Sequence, residues 1–225
     1  MSLSLDDHFV AFIDIPGFSE MVKSDCVSPD HPKHLEKLYK AHVRAIELFS
    51  HDIHANLTQF SDSIVFSRSF DIAALGGFLE SIRQWQQMIL IEGLLCRGGI
   101  TFGRHFLKDK FMFSKAMIDA YEIESTKAKF PRIIISGDLI DLACVGDICS
   151  MSLIKEDDGA IFIDYLKNES DDRKLNLTKA IQSISNANKK SPSTVQEKIR
   201  WLERYSDYKL GTDFSRPHFS DVVSG

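Results

Sequence analysis

Two aspartates, each at the end of an apolar run, are the residues of this chain best placed to do chemistry. Asp14 closes Phe9-Val10-Ala11-Phe12-Ile13 and is followed by Ile15-Pro16-Gly17-Phe18-Ser19. Asp62 lies 48 residues later, in Gln59-Phe60-Ser61-Asp62-Ser63-Ile64-Val65-Phe66. If the first run is a strand that lies against the second segment, the two carboxylates converge, and the Ile15 carbonyl adds a third oxygen. Oxygen donors of this kind select hard divalent ions, Mg²⁺ or Mn²⁺. The turn Pro16-Gly17-Phe18-Ser19 leads into a helix, whose first amides and dipole favour a phosphate. A divalent ion beside a phosphate turn points to metal-dependent nucleotide chemistry. Taken singly, each aspartate has a plainer reading as a satisfied turn residue.

The elements that must position these residues read as alternating strands and helices. His8–Ile13 is a compact apolar strand. Phe18–Lys23 begins a helix, and Ser24–Pro32 is a proline-bearing loop. Lys33–His51 has helical spacing, with Leu35, Leu38, Tyr39, His42, Val43, Ile46 and Phe49 on one face. Ile53–Phe60 and Ser63–Ser67 form a hairpin turning at Ser61-Asp62. Asp71–Glu92 is helical, Leu94–Phe106 is a strand interrupted by glycines, Ser114–Lys127 is helical and Arg132–Ser136 is a strand. This order predicts an α+β fold with a ferredoxin-like core, a mostly antiparallel sheet carrying helices on one face. Residues 8–136 form that core. Residues 137–210 form a C-terminal α/β extension packed on it, with a short helix at Asp138–Leu142, a strand at Ala160–Tyr165 and helices at Leu175–Asn186 and Ser193–Tyr208. Ser170–Lys174 reads as charged loop, and 211–225 as a flexible tail.

Composition narrows the class. The chain has 225 residues, 44% of them hydrophobic, enough for a real core. A net charge of -5 argues against a partner that is nucleic acid. The four cysteines, Cys26, Cys96, Cys144 and Cys149, are scattered and read as free, mostly buried thiols of a reducing cytoplasm. Met1–Asp7 is polar and acidic and does not read as a signal peptide. No apolar run approaches the ~20 residues of a membrane span, so a cytoplasmic protein with no membrane partner is expected.

The motifs resemble, in order, those of the catalytic domain of class III nucleotide cyclases. Phe12-Ile13-Asp14-Ile15-Pro16-Gly17-Phe18-Ser19 resembles that family's first strand and turn, and Ser61-Asp62 its Gly-Asp hairpin with Ser in place of Gly. Arg97-Gly98-Gly99-Ile100-Thr101-Phe102-Gly103-Arg104 resembles its R-x-G-I-x-x-G strand. Phe113-Ser114-Lys115-Ala116 through Ala128, then Pro131-Arg132-Ile133-Ile134-Ile135-Ser136, resembles its following helix and closing strand. The resemblance implies that Asp14, the Ile15 carbonyl and Asp62 hold two divalent ions, Mn²⁺ or Mg²⁺. It implies that Gly17, Phe18 and Ser19 bind phosphate and that Arg104 coordinates the triphosphate as a catalytic residue. It also implies a homodimer with composite sites, metals from one subunit and base contacts from the other.

Departures from the family pattern bear on the base. The adenine-reading Lys is replaced by Thr58, and the second base-reading position falls near Phe111. The helix Asn and Arg that steady the transition state are replaced by Ile118 and Glu122. Ala120-Tyr121-Glu122-Ile123-Glu124-Ser125 resembles the Pycsar subgroup, bacterial pyrimidine cyclases of anti-phage defence. That resemblance implies UTP converted to cyclic UMP, with CTP to cyclic CMP as the alternative, and a separate effector that reads the product. Thr58, Arg97, Phe111 and Lys115 are candidate substrate-binding residues. Against this, Arg97 can instead cap a sheet edge, Lys115 can be solvated and Phe111 can be packing. A catalytically inactive, cyclase-like module that dimerises or senses nucleotide is the reading from a different class.

Overall fold

A computed structural model describes residues 3–27, 30–109, 111–145, 152–167 and 170–215. The chain divides into two compact units, Met1–Tyr165 and Leu166–Gly225. The first unit contains β1 (Asp6–Asp14), α1 (Phe18–Val27), α2 (Lys33–Phe49), β2 (Ala55–Phe60), β3 (Ser63–Ser69), α3 (Leu75–Ile91), β4 (Arg97–Lys108), β5 (Phe111–Ser114), α4 (Lys115–Lys127), β6 (Ile133–Ile135), α5 (Gly137–Val145), β7 (Leu153–Lys155) and β8 (Ile161–Ile163). Among the described residues these strands make one sheet in the order β2-β3-β1-β4-β6-β8-β7, with β5 paired to β4. Every pairing is antiparallel except that of β4 with β6. The sheet continues past Ser136 through β8 and β7, so the first unit closes at Tyr165.

The period-2 alternation of β1 sorts the two faces of the sheet. Phe9, Ala11 and Ile13 enter the main core with Ile64 and Phe66 of β3, Ala41, Ala45 and Phe49 of α2, and Phe78, Ile82 and Trp85 of α3. Val10 and Phe12 face the other way, with Val65, Ala116 and Ala120. The antiparallel-dominated α+β sheet is as expected, and α2 and α3 cover one face of it. α4 is the exception, because it crosses β1 and β4 on the opposite face. The crossing needs a bare strand: a Cβ on Gly99 would sit 2.3 Å from the Ala120 carbonyl oxygen and 2.8 Å from Ile123 Cβ. Gly99→Ala is expected to lower stability by about 3 kcal/mol, because backbone of α4 rather than a flexible side chain blocks the methyl. A urea unfolding midpoint equal to wild type would contradict this close approach.

Several elements differ from the sequence reading for local physical reasons. α1 runs on through the segment read as loop, as far as Val27. On α2 the stripe against the core is Leu38, Ala41, Ala45, Leu48 and Phe49, while Leu35, Tyr39 and Ile46 are exposed. Small alanines let α2 approach α3, where Trp85 Nε1 donates to the Ala41 carbonyl at 3.0 Å. His42, which the helical spacing puts on the apolar face, is half-buried and contacts Gln59 Oε1 through Nδ1 at 2.5 Å. β4 is continuous despite its glycines, and β5 was not read at all. Cys96 is buried but Cys26 is exposed, and both are free. The side chains of Cys144 and Cys149 lie outside the described residues.

In the second unit, α6 (Asp171–Ala187) and α7 (Ser193–Leu210) pack on each other. Ser170–Lys174 is not loop. Ser170 Oγ accepts the Arg173 amide at 3.2 Å, and Asp171 and Asp172 occupy the first turn of α6, so these residues form a capped helix start. α7 stops at Gly211, whose φ of 66° is left-handed. The Asp207 carboxylate then accepts the amides of Phe214 and Ser215 and the hydroxyls of Thr212 and Ser215, and holds 212–215 against the helix end. Residues 216–225 of the expected tail lie outside the described residues. No helix among the described residues is long and apolar enough to cross a membrane.

Candidate active site

Strand pairing brings the two aspartates together. Asp14 ends β1 opposite Ser63 at the start of β3, and the Ile15 amide donates to the Asp62 carbonyl at 3.1 Å. One backbone hydrogen bond thus ties the end of β1 to the tip of the β2–β3 hairpin. Ser61 at that tip has φ 55°, the left-handed conformation that glycine adopts at least cost. Both Asp14 and Asp62 are half-buried.

After Asp14, Pro16 and Gly17 form the centre of a turn closed by the Phe18 amide on the Ile15 carbonyl at 3.3 Å. Gly17 takes φ +84°, which a type II turn requires at its third position. The Met21 amide bonds to the Gly17 carbonyl at 3.0 Å, so α1 starts directly at this turn. The Ile15 oxygen accepts one hydrogen bond and keeps a second lone pair. Asp14, Asp62 and the Ile15 carbonyl make an all-oxygen donor set, which suits a hard divalent ion. Among the described residues no group of three or more His, Cys, Asp and Glu side chains could hold a metal. The candidate site accordingly depends on two carboxylates and a backbone oxygen.

Arg97 is the cation at this site. It faces Asp14 across the β1–β4 ladder, and its Nε lies 3.2 Å from Asp14 Oδ2. Its Nη2 lies 2.8 Å from Oε1 of Glu124, a buried carboxylate on α4, and its Nη1 donates to the Ala128 carbonyl at 3.5 Å. Cys96 lies next to this group; burial and the Asp14 charge push its thiol well above the usual range, so it is no thiolate nucleophile. Glu124 lies in the stretch that resembles the Pycsar subgroup, but the sequence reading assigns it no role at the site. The available signal was its place on the stripe Ala116, Ala120, Glu124, where a lone carboxylate follows two small residues on the buried side of α4.

The other candidates lie elsewhere within one chain. Thr58 sits on β2 opposite Val65, four residues before Asp62, and is half-buried. Arg104 pairs with Asp7 at the other end of β1, seven residues along from the Asp14–Arg97 pair, or about 23 Å at the usual strand rise. There its Nη1 donates to the Leu5 carbonyl at 3.1 Å and its Nε lies 3.5 Å from Asp7. Phe111 opposes Lys108 beyond Arg104 and is exposed. Lys115 begins α4 at that same end and pairs with Asp119 at 2.6 Å. His105, which adjoins Arg104, is buried beside His8, with ring centroids 4.8 Å apart. Burial, then the neighbouring His8, lowers its pKa to about 4, so it is a neutral ring and offers no charge to a phosphate.

The fold is that of the class III nucleotide cyclase catalytic domain. Two structures of a bacterial light-regulated adenylyl cyclase superpose with TM-scores of 0.52 and 0.51, at 13% and 14% sequence identity. Each covers 82% of this chain, which spans 59% and 58% of the length of those cyclase chains. The guanylyl cyclase Cya2 superposes at 0.46 with 17% identity, over 72% of this chain and 93% of its own. No family model matches the sequence, and no curated protein matches it.

Proposed function

We propose that this chain is a pyrimidine nucleotide cyclase that converts UTP to 3′,5′-cyclic UMP and pyrophosphate. The observation that supports the reading is the backbone pairing that sets Asp14 and Ile15 beside Asp62, next to the Gly17 turn. Two bound Mn²⁺ or Mg²⁺ ions would supply Lewis-acid activation of the ribose 3′-hydroxyl and neutralise the triphosphate. Asp14, Asp62 and the Ile15 carbonyl would hold these ions. The Phe18 amide closes the turn, so the phosphate role rests on the amides of Gly17 and Ser19. The 3′-oxygen forms a bond to the α-phosphorus as the bond to the β-phosphate oxygen breaks, and the hydroxyl proton is lost to solvent.

The protein works as a homodimer in this reading. Arg104, Phe111 and Lys115 lie at the end of β4 remote from Asp14, where they can serve the site of a second copy. Thr58 stands where a purine reader would need a lysine, and its hydroxyl both donates and accepts, which suits uracil and, as the alternative, the cytosine of CTP. The cyclic nucleotide is a second messenger for anti-phage defence, read by a separate effector. An inactive cyclase-like dimer is the second reading, favoured by the exposed Ile118 and Glu122 at the positions expected to steady the transition state.

Purified protein is incubated with each of the four nucleoside triphosphates and Mn²⁺, and products are resolved by mass. Cyclic UMP as the main product is expected. Cyclic CMP would move the assignment to CTP, cyclic AMP alone would end the pyrimidine reading, and no cyclic product from any substrate would leave the inactive module.

A further inference from the structure

We propose that Glu124 is a positioning residue that sets how strongly Arg97 competes with a divalent ion for Asp14; this rests on the metal-site reading above. Arg97 lies between two carboxylates, 3.2 Å from Asp14 and 2.8 Å from Glu124. Its charge is permanent. A cation arriving between Asp14 and Asp62 therefore meets a guanidinium already on one of its ligands. Glu124 gives that guanidinium another place to rest. Its side chain is 4% exposed and cannot swing into solvent, whereas Asp14 stands at a strand end with 18% exposure. The Ala128 carbonyl holds Nη1 on the same side. When Asp14 turns to a metal, Arg97 keeps a full carboxylate and a carbonyl and is not left as an unpaired, part-buried charge.

The consequence can be read in metal affinity without turnover. Glu124→Gln keeps an acceptor for Nη2 but removes the charge, so Arg97 settles on Asp14. Mn²⁺ affinity of the nucleotide-free protein, measured by the loss of the free-ion resonance signal, is expected to fall about tenfold, the scale of changes beyond the direct ligands. Arg97→Gln removes the competitor and is expected to tighten Mn²⁺ binding. In that background, adding Glu124→Gln is expected to change the affinity less than about twofold, because the route through Arg97 is gone. A fall of equal size in both backgrounds would mean that Glu124 acts only through its field and would overturn the proposal, as would no fall in either. Should Glu124→Gln fail to fold, Glu124→Asp, which keeps the charge but draws it back from Arg97, takes its place. Mn²⁺ binding is then expected to weaken in the wild-type background and to hold in Arg97→Gln; no change in the wild-type background, or an equal loss in both, overturns the proposal. Wild-type protein that makes cyclic product while these affinities stay level removes only the role of Glu124. Wild-type protein that binds no Mn²⁺ removes the metal-site reading with it.

Discussion

Asp62→Ala is expected to cut cyclic nucleotide formation by at least about 1,000-fold while the protein stays folded and dimeric. Loss of a direct metal ligand removes several kcal/mol of transition-state stabilisation, and each 1.4 kcal/mol or so is a factor of ten. The fold has little stake in this carboxylate. Asp62 is half-buried at a hairpin tip, and what locks the tip to β1 is its backbone carbonyl on the Ile15 amide, which alanine retains. Thermal unfolding is therefore expected to move only slightly. Asp62→Asn, which keeps shape and one oxygen but not the charge, is expected to be nearly as inactive. Turnover within tenfold of wild type in either variant would remove Asp62 from the metal site and the proposed chemistry with it.

The same hairpin shows why some of the site could be read from residues and some could not. Strand ends are legible because apolar runs stop at Asp14 and restart after Asp62, and antiparallel pairing then sets the backbone of Asp14 and Ile15 beside Ser63 and Asp62. Long-range register is what residue types do not reveal. Arg104 carries the expected charge, yet the β1–β4 ladder sets Arg97 opposite Asp14 and Arg104 opposite Asp7. Glu124 could not be placed without knowing that α4 crosses beneath β4 at Gly99, on the face opposite α2 and α3. The stripe on α2 was misread for a related reason. Hydrophobic periodicity favours large residues, but the interface with α3 selects small ones, Ala41 and Ala45, and leaves Leu35 and Tyr39 at the surface. Ser170–Lys174 was misread because its charges suggest a loop, while Ser170 followed by two aspartates is a helix start.

Ile118→Arg is expected to convert a dimer to a monomer and to lower activity by about 100-fold or more. β5 and α4, consecutive in the chain, expose four large apolar side chains: Phe111 (62%), Phe113 (61%), Ile118 (61%) and Tyr121 (51%). Ile118 and Tyr121 lie one turn apart on α4, whereas Phe111 and Phe113 alternate with Met112, which packs on the α4 face of the sheet, and so stand on the other side of β5. Tyr121 is held edge-on against Phe12 at 5.3 Å, which fixes its ring as part of that surface. The neighbouring pair Ile118 and Tyr121 gives the outer side of α4 an apolar spot on which a second copy would seat in the proposed dimer. Arg104, Phe111 and Lys115, at one end of β4, would reach the partner's substrate in that dimer. An arginine at position 118 puts an unpaired charge into the contact, which costs several kcal/mol when buried. The monomer loses little by the change, because Ile118 is mostly solvated in one chain. Each copy then keeps its own Asp14 and Asp62 but lacks the groups that orient the nucleotide, and misplacement of a reactant by about 1 Å is enough for about a 100-fold loss. Light scattering on the variant, together with its product yield, checks both halves. A variant that remains dimeric with wild-type yield would move the contact to another face of the protein; a monomer with wild-type yield would show that one chain holds the whole site.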